Sequence, residues 1–535
     1  MQEKEFAKLF FKEFKRRDIK SKEDVAKLKR ELCIKLKINE EPTNPDILKY
    51  ASEKFIEKYG ELMGIKPTRT ISGVATITVS CKPGYCGGRC TYCPPMSKIV
   101  PKSYSANEPA IQRAIRNRYD PYKQVRDRLN QYKIMGHPTD KIEIIVIGGT
   151  FLALEKDYQY KFIKGIFDGL NGKRSSSLEE AKKLNETAKH RCVGLTIETR
   201  PDYCFEEHVD RLLDFGCTRA EIGIQSIYND VLDRVKRDHH VEESIKAIQI
   251  AKDSSFKIIA HIMPFLPGSN VERDIKMFEE IFTNPDLQVD EFKIYPCVVV
   301  PGTELYKEWK EGKYNPPTLE ETIRVIVEMK KIAPPWIRFR RIFRDIPANE
   351  IAAGPKKSNL RELAISELKK QGKRCRCTRC REPGHAKKIY GVDVDEKEIK
   401  LVRRDYDASG GKEIFLSFED TKNDVLIALL RLRMPYKPHR KEIDDKTALI
   451  REVHTYGKMV PINKDDVNGW QHRGFGSLLL REAERIAREE FDKKKMIAIS
   501  GVGVRHWFMK YGYEHEGPFM SKTILKDNFF VDKKH

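Results

Sequence analysis

Six short runs of β-branched and aliphatic residues, separated by longer segments with helical spacing, constrain the fold of this 535-residue chain more than any other feature. The runs are residues 75–80, 142–148, 193–199, 220–225, 257–263 and 291–296. Strands that alternate with helices form a parallel sheet, because each helix carries the chain back to the start of the next strand. The pattern predicts an α/β domain in the form of a partial (βα)6 barrel, with functional residues at the carboxyl ends of the strands.

A loop of three cysteines follows the first run directly. Cys86, Cys90 and Cys93 have the spacing C-x3-C-x2-C, which suits three corners of a [4Fe–4S] cluster and leaves the fourth iron open for a substrate or cofactor. The alternatives are a zinc knuckle or a disulfide, but zinc prefers paired C-x2-C units and this loop contains one. The spacing therefore favours a cluster with an open iron.

The cysteine spacing, the aromatic Tyr92 before the last cysteine and the polar strand ends together resemble the radical S-adenosylmethionine (radical SAM) superfamily. The resemblance implies that S-adenosylmethionine binds the open iron and that the strand ends form its pocket. In that pocket the methionine amino group meets Gly148, Gly149 and Thr150, where glycine lets the backbone approach the ligand closely. The ribose or methionine moiety faces Glu198 and Gln225, and Met263 packs near the adenine.

A second group of soft ligands lies in a basic segment punctuated by glycine and proline. Cys375, Cys377 and Cys380 are followed five residues later by His385. Three thiolates and one imidazole satisfy tetrahedral zinc, although a ligand from another domain would replace His385 equally well. The alternative is a flexible loop with incidental thiols. We interpret the segment as a zinc-binding clamp between two domains.

After about residue 400 the pattern changes to antiparallel strands, at 401–406, 413–418, 425–433 and 448–456, and then a helix at 474–491. The turn before this helix contains Gln471, His472, Arg473, Gly474, Phe475 and Gly476. Glycines at a strand-to-helix junction leave backbone N–H groups free to bind a pyrophosphate. This turn and the aromatic ending that includes Phe508 and Tyr511 resemble a GNAT-type acetyltransferase, which implies an α+β domain that binds acetyl-CoA.

The charge balance indicates a polyanionic partner. Lys and Arg number 101 against 80 Asp and Glu, a net charge of +21, and the surplus is concentrated at residues 4–37, 338–344 and 369–381. The first segment interleaves Phe6, Phe10 and Phe14 with its lysines, which favours nucleic acid over the alternative of solvated faces. With no long apolar stretch, no signal-peptide core and cysteines in metal-binding clusters, we expect a cytoplasmic protein without a membrane partner.

Radical SAM and GNAT signatures on one chain, with the motifs at 66–74, 113–121, 196–202 and 499–503, resemble the family of Elongator catalytic subunits in an archaeal form. The resemblance implies a tRNA-modifying enzyme that converts wobble uridine to 5-carboxymethyluridine. It also implies four parts: a basic helical tRNA-binding region (1–70), the barrel (71–345), the zinc-binding linker (346–395) and the acetyltransferase domain (396–535). A homodimer or a reductant protein is a further possible partner.

The expected chemistry uses a radical, because an acetyl methyl is not acidic enough for ordinary base chemistry to attach it to a pyrimidine carbon. On this hypothesis a hydrogen atom is taken from acetyl-CoA, the carbon radical adds to uracil C5, and oxidation and thioester hydrolysis follow. Lys293 and Tyr295, on one face at the end of the sixth strand, are candidate catalytic residues, as are Glu452 and His454 on the other domain. The alternative function is a protein lysine acetyltransferase with a structural iron–sulfur cluster.

Overall fold

The computed structural model describes residues 2–38, 41–60, 62–63, 72–343, 346–457, 470 and 473–525. Its helices are α1 Gln2–Arg16, α2 Lys22–Lys35, α3 Asn44–Leu48, α4 Glu53–Tyr59, α5 Pro109–Arg116, α6 Pro121–Ile134, α7 Lys156–Asn171, α8 Leu178–Asn185, α9 Glu206–Asp214, α10 Asn229–Arg234, α11 Val241–Asp253, α12 Val271–Thr283, α13 Glu304–Lys310, α14 Leu319–Ile332, α15 Leu360–Lys370, α16 Thr378–Arg381, α17 Pro383–Tyr390, α18 Phe475–Glu489 and α19 Arg505–Met509. Its strands are β1 Ala75–Ser80, β2 Lys141–Ile147, β3 Arg191–Thr199, β4 Arg219–Gln225, β5 Lys257–Ile262, β6 Glu291–Ile294, β7 Arg338–Ile342, β8 Ile399–Ala408, β9 Gly411–Asp420, β10 Val425–Met434, β11 Thr447–Thr455, β12 Lys495–Ala498, β13 Glu514–Glu516 and β14 Phe519–Thr523. None of these helices is long and apolar enough to cross a membrane.

The N-terminal helices α1–α4 form a small bundle with its own apolar core. Phe6, Phe10 and Phe14 follow one another at helical spacing and are buried in that core. The prediction that these rings interleave with lysines on a nucleic-acid surface is therefore wrong, because their burial against α2 and α4 leaves no face for a base. The lysines of α1 lie on the opposite side and stay exposed, for example Lys8 and Lys12.

The parallel sheet confirms the predicted partial barrel and extends it. Strands β1 to β7 are hydrogen-bonded in sequence order, every pair parallel. The seventh strand falls in the basic segment 338–344, which we interpreted as a nucleic-acid surface. That interpretation is wrong for Arg338 and Arg340, whose side chains are largely buried against Glu382, Glu291 and Glu143; Arg344 lies outside the described residues.

The C-terminal domain is a second seven-stranded sheet, in the order β13-β14-β12-β11-β10-β9-β8. The four predicted strands, β8 to β11, are antiparallel to one another, as the sequence pattern predicts. Among the described pairs only β11 and β12, which follows α18, run parallel, so the complete sheet is mixed. Helix α18 packs on one face through Leu479, Ala483 and Ile486. The other face joins the barrel core, which makes the two sheets parts of one continuous apolar interior.

Buried ion pairs also join the two sheets. Arg451 on β11 contacts Asp290, which precedes β6, with nitrogen–oxygen distances of 2.6 and 2.9 Å. Arg433 on β10 contacts Asp253 at 2.6 Å, and all four side chains are buried. Charges without access to water are stable only when paired, so these contacts fix how the C-terminal domain covers the amino end of the barrel.

Candidate active site

The three cysteines of the C-x3-C-x2-C loop lie on the wall of a cavity of about 490 Å³ at the carboxyl end of the barrel, which we call the cysteine cavity. Cys90 is buried, and Cys86 and Cys93 are half-buried. Tetrahedral zinc would gather thiolates to about 3.8 Å from one another. Among the described residues, the groups of ligands within 4.8 Å of one another do not include these thiols, so their spread fits a multi-iron cluster and not a single ion.

The turn after β2 packs directly on the cysteine loop. Gly148 and Gly149 both have positive φ, 130° and 92°, and a Cβ on Gly148 would lie 2.4 Å from the Cys81 sulfur. The Thr150 hydroxyl donates to the Cys86 carbonyl at 2.8 Å. Glycine is favoured at both positions because their positive φ values strain a residue with a side chain, and at Gly148 a Cβ would also collide with Cys81, directly after β1. Gly149 and Thr150 line the cysteine cavity.

Two buried arginines behind the loop were missed from the sequence. Arg237 donates to the Cys90 sulfur at 3.4 Å and to the Gly223 carbonyl at 2.6 Å. Arg200 donates to the Arg237 carbonyl at 3.0 Å and is paired with Asp202. Burial alone would raise the pKa of the Cys90 thiol, but the Arg237 guanidinium outweighs burial and lowers it. Hydrogen bonds to sulfur tune the potential of a cluster.

The strand ends bring an acid–base group into the cysteine cavity. Lys293 and the His261 imidazole both contact the carboxylate of Glu221, and the ammonium nitrogen lies 3.9 Å from the Glu198 carboxylate. Burial and the neighbouring Glu221 raise the pKa of Glu198 to about 7. Burial alone would lower the pKa of Lys293, but the negative charge of Glu221 outweighs burial. The net effect is a raised pKa, so the ammonium stays charged.

The remaining predicted residues of this pocket lie on the same wall. The Tyr104 hydroxyl donates to Glu198, and the Tyr295 ring meets His261 edge to face at 5.1 Å. Gln225 adopts a positive φ of 73° at the end of β4. The structure thus brings together at one cavity Gly149, Thr150, Glu198, Gln225, Met263, Lys293 and Tyr295. Gly148 supports the turn from behind.

A larger cavity of about 1330 Å³, which we call the interdomain cavity, lies between the C-terminal domain and the amino ends of the barrel strands. Gly474, with a positive φ of 84°, is the N-cap of α18, and Gly474, Phe475 and Gly476 line the cavity. The amino end of this helix, with its partial positive charge, therefore lies at the cavity wall. Phe508 and Tyr511 line the opposite wall. A Cβ on Gly476 would lie 3.4 Å from the Trp507 ring. Gln471 and His472 lie outside the described residues, and Arg473 contacts Glu396 at 3.0 Å.

Glu452 and His454 both line the interdomain cavity, but Glu452 is charged and His454 is neutral. Burial raises the pKa of Glu452, but Lys257 and Arg431 outweigh burial and lower it to about 2, so this carboxylate is held in ion pairs between the domains. Burial lowers the pKa of His454 to about 4. Because His454 Nε2 lies 3.1 Å from the Ser72 carbonyl, it carries the hydrogen, and Nδ1 remains an acceptor.

The linker cysteines are arranged differently from the loop cysteines. The sulfurs of Cys375, Cys377 and Cys380 lie within 4.8 Å of one another and are buried, as a single tetrahedral ion requires. His385 does not join them. Its imidazole lies in the interdomain cavity near Glu382, because α17 carries it away from the thiols, and Lys330 approaches Cys375 instead, at 3.5 Å.

The linker arginines bind the C-terminal domain and do not form the phosphate-binding surface that we expected. Arg374 donates to the Asn423 carbonyl at 2.8 Å, and Arg376 contacts Asp424 at 3.2 Å. Arg381 is fully buried and contacts Glu419. In the segment 369–381 the exposed cations are Lys369, Lys370, Lys373 and the partly paired Arg376. The contacts support the interpretation of the linker as a clamp.

Comparisons with known proteins agree with this geometry. Family models match the Radical SAM superfamily at residues 82–281, the Radical_SAM C-terminal domain at 289–370 and the ELP3 N-terminal domain at 10–71. The tRNA uridine(34) acetyltransferase of Methanocaldococcus infernus is 53% identical over 489 residues, which cover 90% of this chain and 92% of that protein. Elongator complex protein 3 of Saccharomyces cerevisiae is 43% identical over 503 residues, covering 92% and 90%. The chain belongs to the Elongator complex protein 3 family.

A solved structure of the family agrees with the fold. The archaeal Methanocaldococcus infernus Elp3 with an N-terminal deletion is 52% identical and superposes with a TM-score of 0.77, covering 85% of this chain and 100% of that one. The radical SAM match covers the cysteine loop and strands β2 to β5. Membership of that superfamily implies S-adenosylmethionine and a [4Fe–4S] cluster as cofactors, and the three thiols at the cysteine cavity fit such a cluster.

Proposed function

We propose that this chain modifies the wobble uridine of tRNA to 5-carboxymethyluridine, using S-adenosylmethionine radical chemistry and acetyl-CoA. The observation that carries the proposal is the pair of cavities in one molecule: the cysteine cavity at one end of the barrel and the interdomain cavity at the other. The names of the archaeal relatives, tRNA uridine(34) acetyltransferases, support the same substrate.

In the cysteine cavity, Cys86, Cys90 and Cys93 would hold the cluster. With S-adenosylmethionine bound, the cluster supplies a radical that removes a hydrogen atom from an unactivated C–H bond. Gly149 and Thr150 would bind the methionine end through backbone groups, with Gly148 supporting their turn from behind. Glu198 and Gln225 would orient the ribose or methionine moiety, and Met263 would cover the adenine. Arg237 and Arg200 neutralise the thiolates from behind, since Arg237 donates to Cys90 sulfur at 3.4 Å.

Lys293 and Tyr295 would handle the acetyl group or the uridine. The Lys293 ammonium, held charged by Glu221, presents a donor to a carbonyl oxygen of either substrate. Glu198, whose pKa is about 7, holds or releases a proton near neutral pH, and Tyr104 donates to it. These groups surround the space in which C5 of the base would be attacked.

In the interdomain cavity, the backbone N–H groups after Gly474 would bind the pyrophosphate of acetyl-CoA. Gln471, His472, Arg473, Phe475 and Gly476, the sequence neighbours of Gly474, would belong to the same binding site. Phe508 and Tyr511 would line the path of the pantetheine arm. Neutral His454, with Nδ1 free, suits the acceptance of a proton from water at the thioester. Glu452 orients the domain interface through Lys257 and Arg431, a revision of its expected role as a base.

The other parts of the chain would serve binding and rigidity. Cys375, Cys377 and Cys380 would hold zinc and keep the linker (346–395) fixed between the barrel (71–345) and the acetyltransferase domain (396–535). The N-terminal region (1–70) would bind tRNA phosphates through the exposed lysines of α1.

Anaerobic incubation of the reconstituted protein with bulk tRNA, reductant, S-adenosylmethionine and acetyl-CoA, followed by nucleoside mass spectrometry, tests the proposal. Formation of 5-carboxymethyluridine that requires all three small molecules supports it. Acetylated protein lysines with unmodified tRNA would instead indicate a lysine acetyltransferase with a structural cluster. The cavity beside the cysteines disfavours that outcome, because a structural cluster needs no substrate-sized space next to it.

A further inference from the structure

The cysteine cavity and the interdomain cavity meet inside the barrel. We infer that the lumen of the barrel is the passage by which the acetyl thioester reaches the cysteine cavity, and that Arg340 closes this passage at its midpoint. The inference rests on the proposed function, because it assumes that the CoA pyrophosphate binds at the amino end of α18.

Strand β1 and the residue before it trace the passage. Residues two apart on a strand share a face, and Val74, Thr76 and Thr78 are the half-buried positions that alternate with the buried Ala75 and Ile77. Val74 lines the interdomain cavity, Thr76 lines both cavities, and Thr78 lines the cysteine cavity. One face of one strand therefore runs from the first cavity into the second.

The other strands repeat this order. On β2, Glu143 lines the interdomain cavity and Ile145 lines the cysteine cavity. On β6, Glu291 lines the interdomain cavity and Lys293 lines the cysteine cavity. Because all strands are parallel, these pairs form two layers of the same lumen, with the interdomain cavity at the amino ends and the cysteine cavity at the carboxyl ends.

Arg340 on β7 stands where the layers meet and, with Thr76, lines both cavities. Its guanidinium donates to both oxygens of Glu143 at 2.9 Å and to Glu291 at 3.1 Å. The Thr76 hydroxyl donates to Glu143 at 3.2 Å. The side chain is 18% exposed, so a rotation of this long side chain opens the lumen. Lys257 and Arg219 then remain as partners of Glu291 and Glu143.

The residues that line the passage favour the thioester-bearing arm of acetyl-CoA as the group that enters it. The entrance beside Gly476 is formed by Val453, Ile499 and Trp507, which suit an uncharged arm while the pyrophosphate stays at the helix terminus. A nucleotide would instead enter from the cysteine cavity and carry its phosphates with it. The guanidinium of Arg340 offers N–H donors to the thioester carbonyl as it passes Thr76.

Affinity labelling tests the passage. Bromoacetyl-CoA alkylates a nearby cysteine, whose thiolate displaces bromide to form a thioether, and the modified peptide is identified by mass spectrometry. In cluster-loaded protein we expect labelling of V74C, T76C and T78C, each suppressed by acetyl-CoA. A cysteine in place of the exposed Thr283 on α12 is the control and should react without protection.

Three further variants test the closing residue and the lumen beside it. Arg340→Ala should raise the labelling rate of T78C severalfold, and Arg340→Lys should have a smaller effect because a cation remains. Thr76→Trp should abolish labelling of T78C but not of V74C, since an indole fills the lumen between them. Calorimetric CoA affinity and the thermal transition confirm that each variant is folded.

The outcomes separate this inference from the proposed function. Protected labelling of V74C with none of T78C, even in the Arg340→Ala background, overturns the passage. Labelling of T78C that acetyl-CoA does not suppress also overturns it, because the reagent then enters from the cysteine cavity. Both results are independent of whether the wild-type protein modifies tRNA, which nucleoside mass spectrometry determines.

Discussion

Removal of the Asp290 carboxylate should destabilise the joint between the two domains more than any exposed ion pair does. This carboxylate accepts hydrogen bonds from Arg451 at 2.6 and 2.9 Å and from the Ile258 N–H at 2.8 Å. Arg431 lies 3.4 Å away. Asp290→Ala leaves Arg451 and Arg431 buried without this partner, and breaking a buried pair in this way costs about 3–5 kcal/mol.

Asp210→Ala is a matched control, because Asp210 on α9 also pairs across the domains. Its side chain is 42% exposed and contacts His439 at 2.8 Å and Arg440 at 2.9 Å. An exposed pair contributes about 0.2–1 kcal/mol. At roughly 2 °C per kcal/mol for a large chain, Asp290→Ala should lower Tm by roughly 6–10 °C and Asp210→Ala by at most about 2 °C. Scanning calorimetry and near-ultraviolet circular dichroism measure both.

The effect of Asp290 should also depend on pH. Burial would raise its pKa, but Arg451 and Lys252 outweigh burial and hold the pKa well below its ordinary value. A carboxyl with a depressed pKa stabilises the fold above its unfolded pKa of about 3.9, and that stabilisation is lost as the pH falls below it. The difference in Tm between wild type and Asp290→Ala should therefore shrink below about pH 4. Equal losses for Asp290→Ala and Asp210→Ala at neutral pH would refute the reasoning.

Four other predictions concern the individual sites. Cys90→Ala should remove the cluster absorbance and 5′-deoxyadenosine formation while calorimetry shows nearly unchanged CoA affinity; a full yield of deoxyadenosine would exclude the cluster assignment. Gly476→Trp should weaken CoA binding at least tenfold, or about 1.4 kcal/mol, because a Cβ at this position already lies 3.4 Å from Trp507; unchanged affinity would mean that the turn binds something else. Deletion of residues 1–37 removes 13 Lys and Arg against 7 Asp and Glu, a net of 13 − 7 = 6 charges, and should flatten the salt dependence of tRNA filter binding; an unaltered slope would mean that α1 and α2 do not contact tRNA. Cys377→Ser should remove about one zinc per chain and increase proteolysis at the linker, with deoxyadenosine formation and CoA binding retained; metal-free native protein would show that these thiols are incidental.

The parallel strands could be predicted from the sequence because each is a short apolar run between turn signals. Strand β7 could not, because Arg338, Arg340 and Arg341 give its sequence the appearance of a solvated charge run. The glutamate partners of Arg338 and Arg340, Glu143 and Glu291, lie on other strands and become neighbours only when the barrel forms. Phe6 and Phe10 were misinterpreted for the same reason, since the helices that cover them are not identifiable from α1 alone.

The candidate site shows the same limit. Cys86, Cys90 and Cys93 are close in the chain, so their spacing in the sequence is enough to predict an iron–sulfur cluster. Arg237, which contacts Cys90, is 147 residues away and has no local signal. His385 was assigned to the zinc site because it is near in sequence, yet α17 directs it to the interdomain cavity. Proximity along the chain predicts ligands only within one loop.

The central claim is that one chain transfers the acetyl carbons of acetyl-CoA to the wobble uridine of tRNA. Anaerobic reaction of the cluster-loaded protein with S-adenosylmethionine, reductant, tRNA and acetyl-CoA labelled with 13C at both acetyl carbons tests it most directly. Mass spectrometry should find both labelled carbons in the side chain of 5-carboxymethyluridine, and none when Cys90→Ala replaces the native protein. Labelled lysines on protein together with unlabelled tRNA would contradict the account.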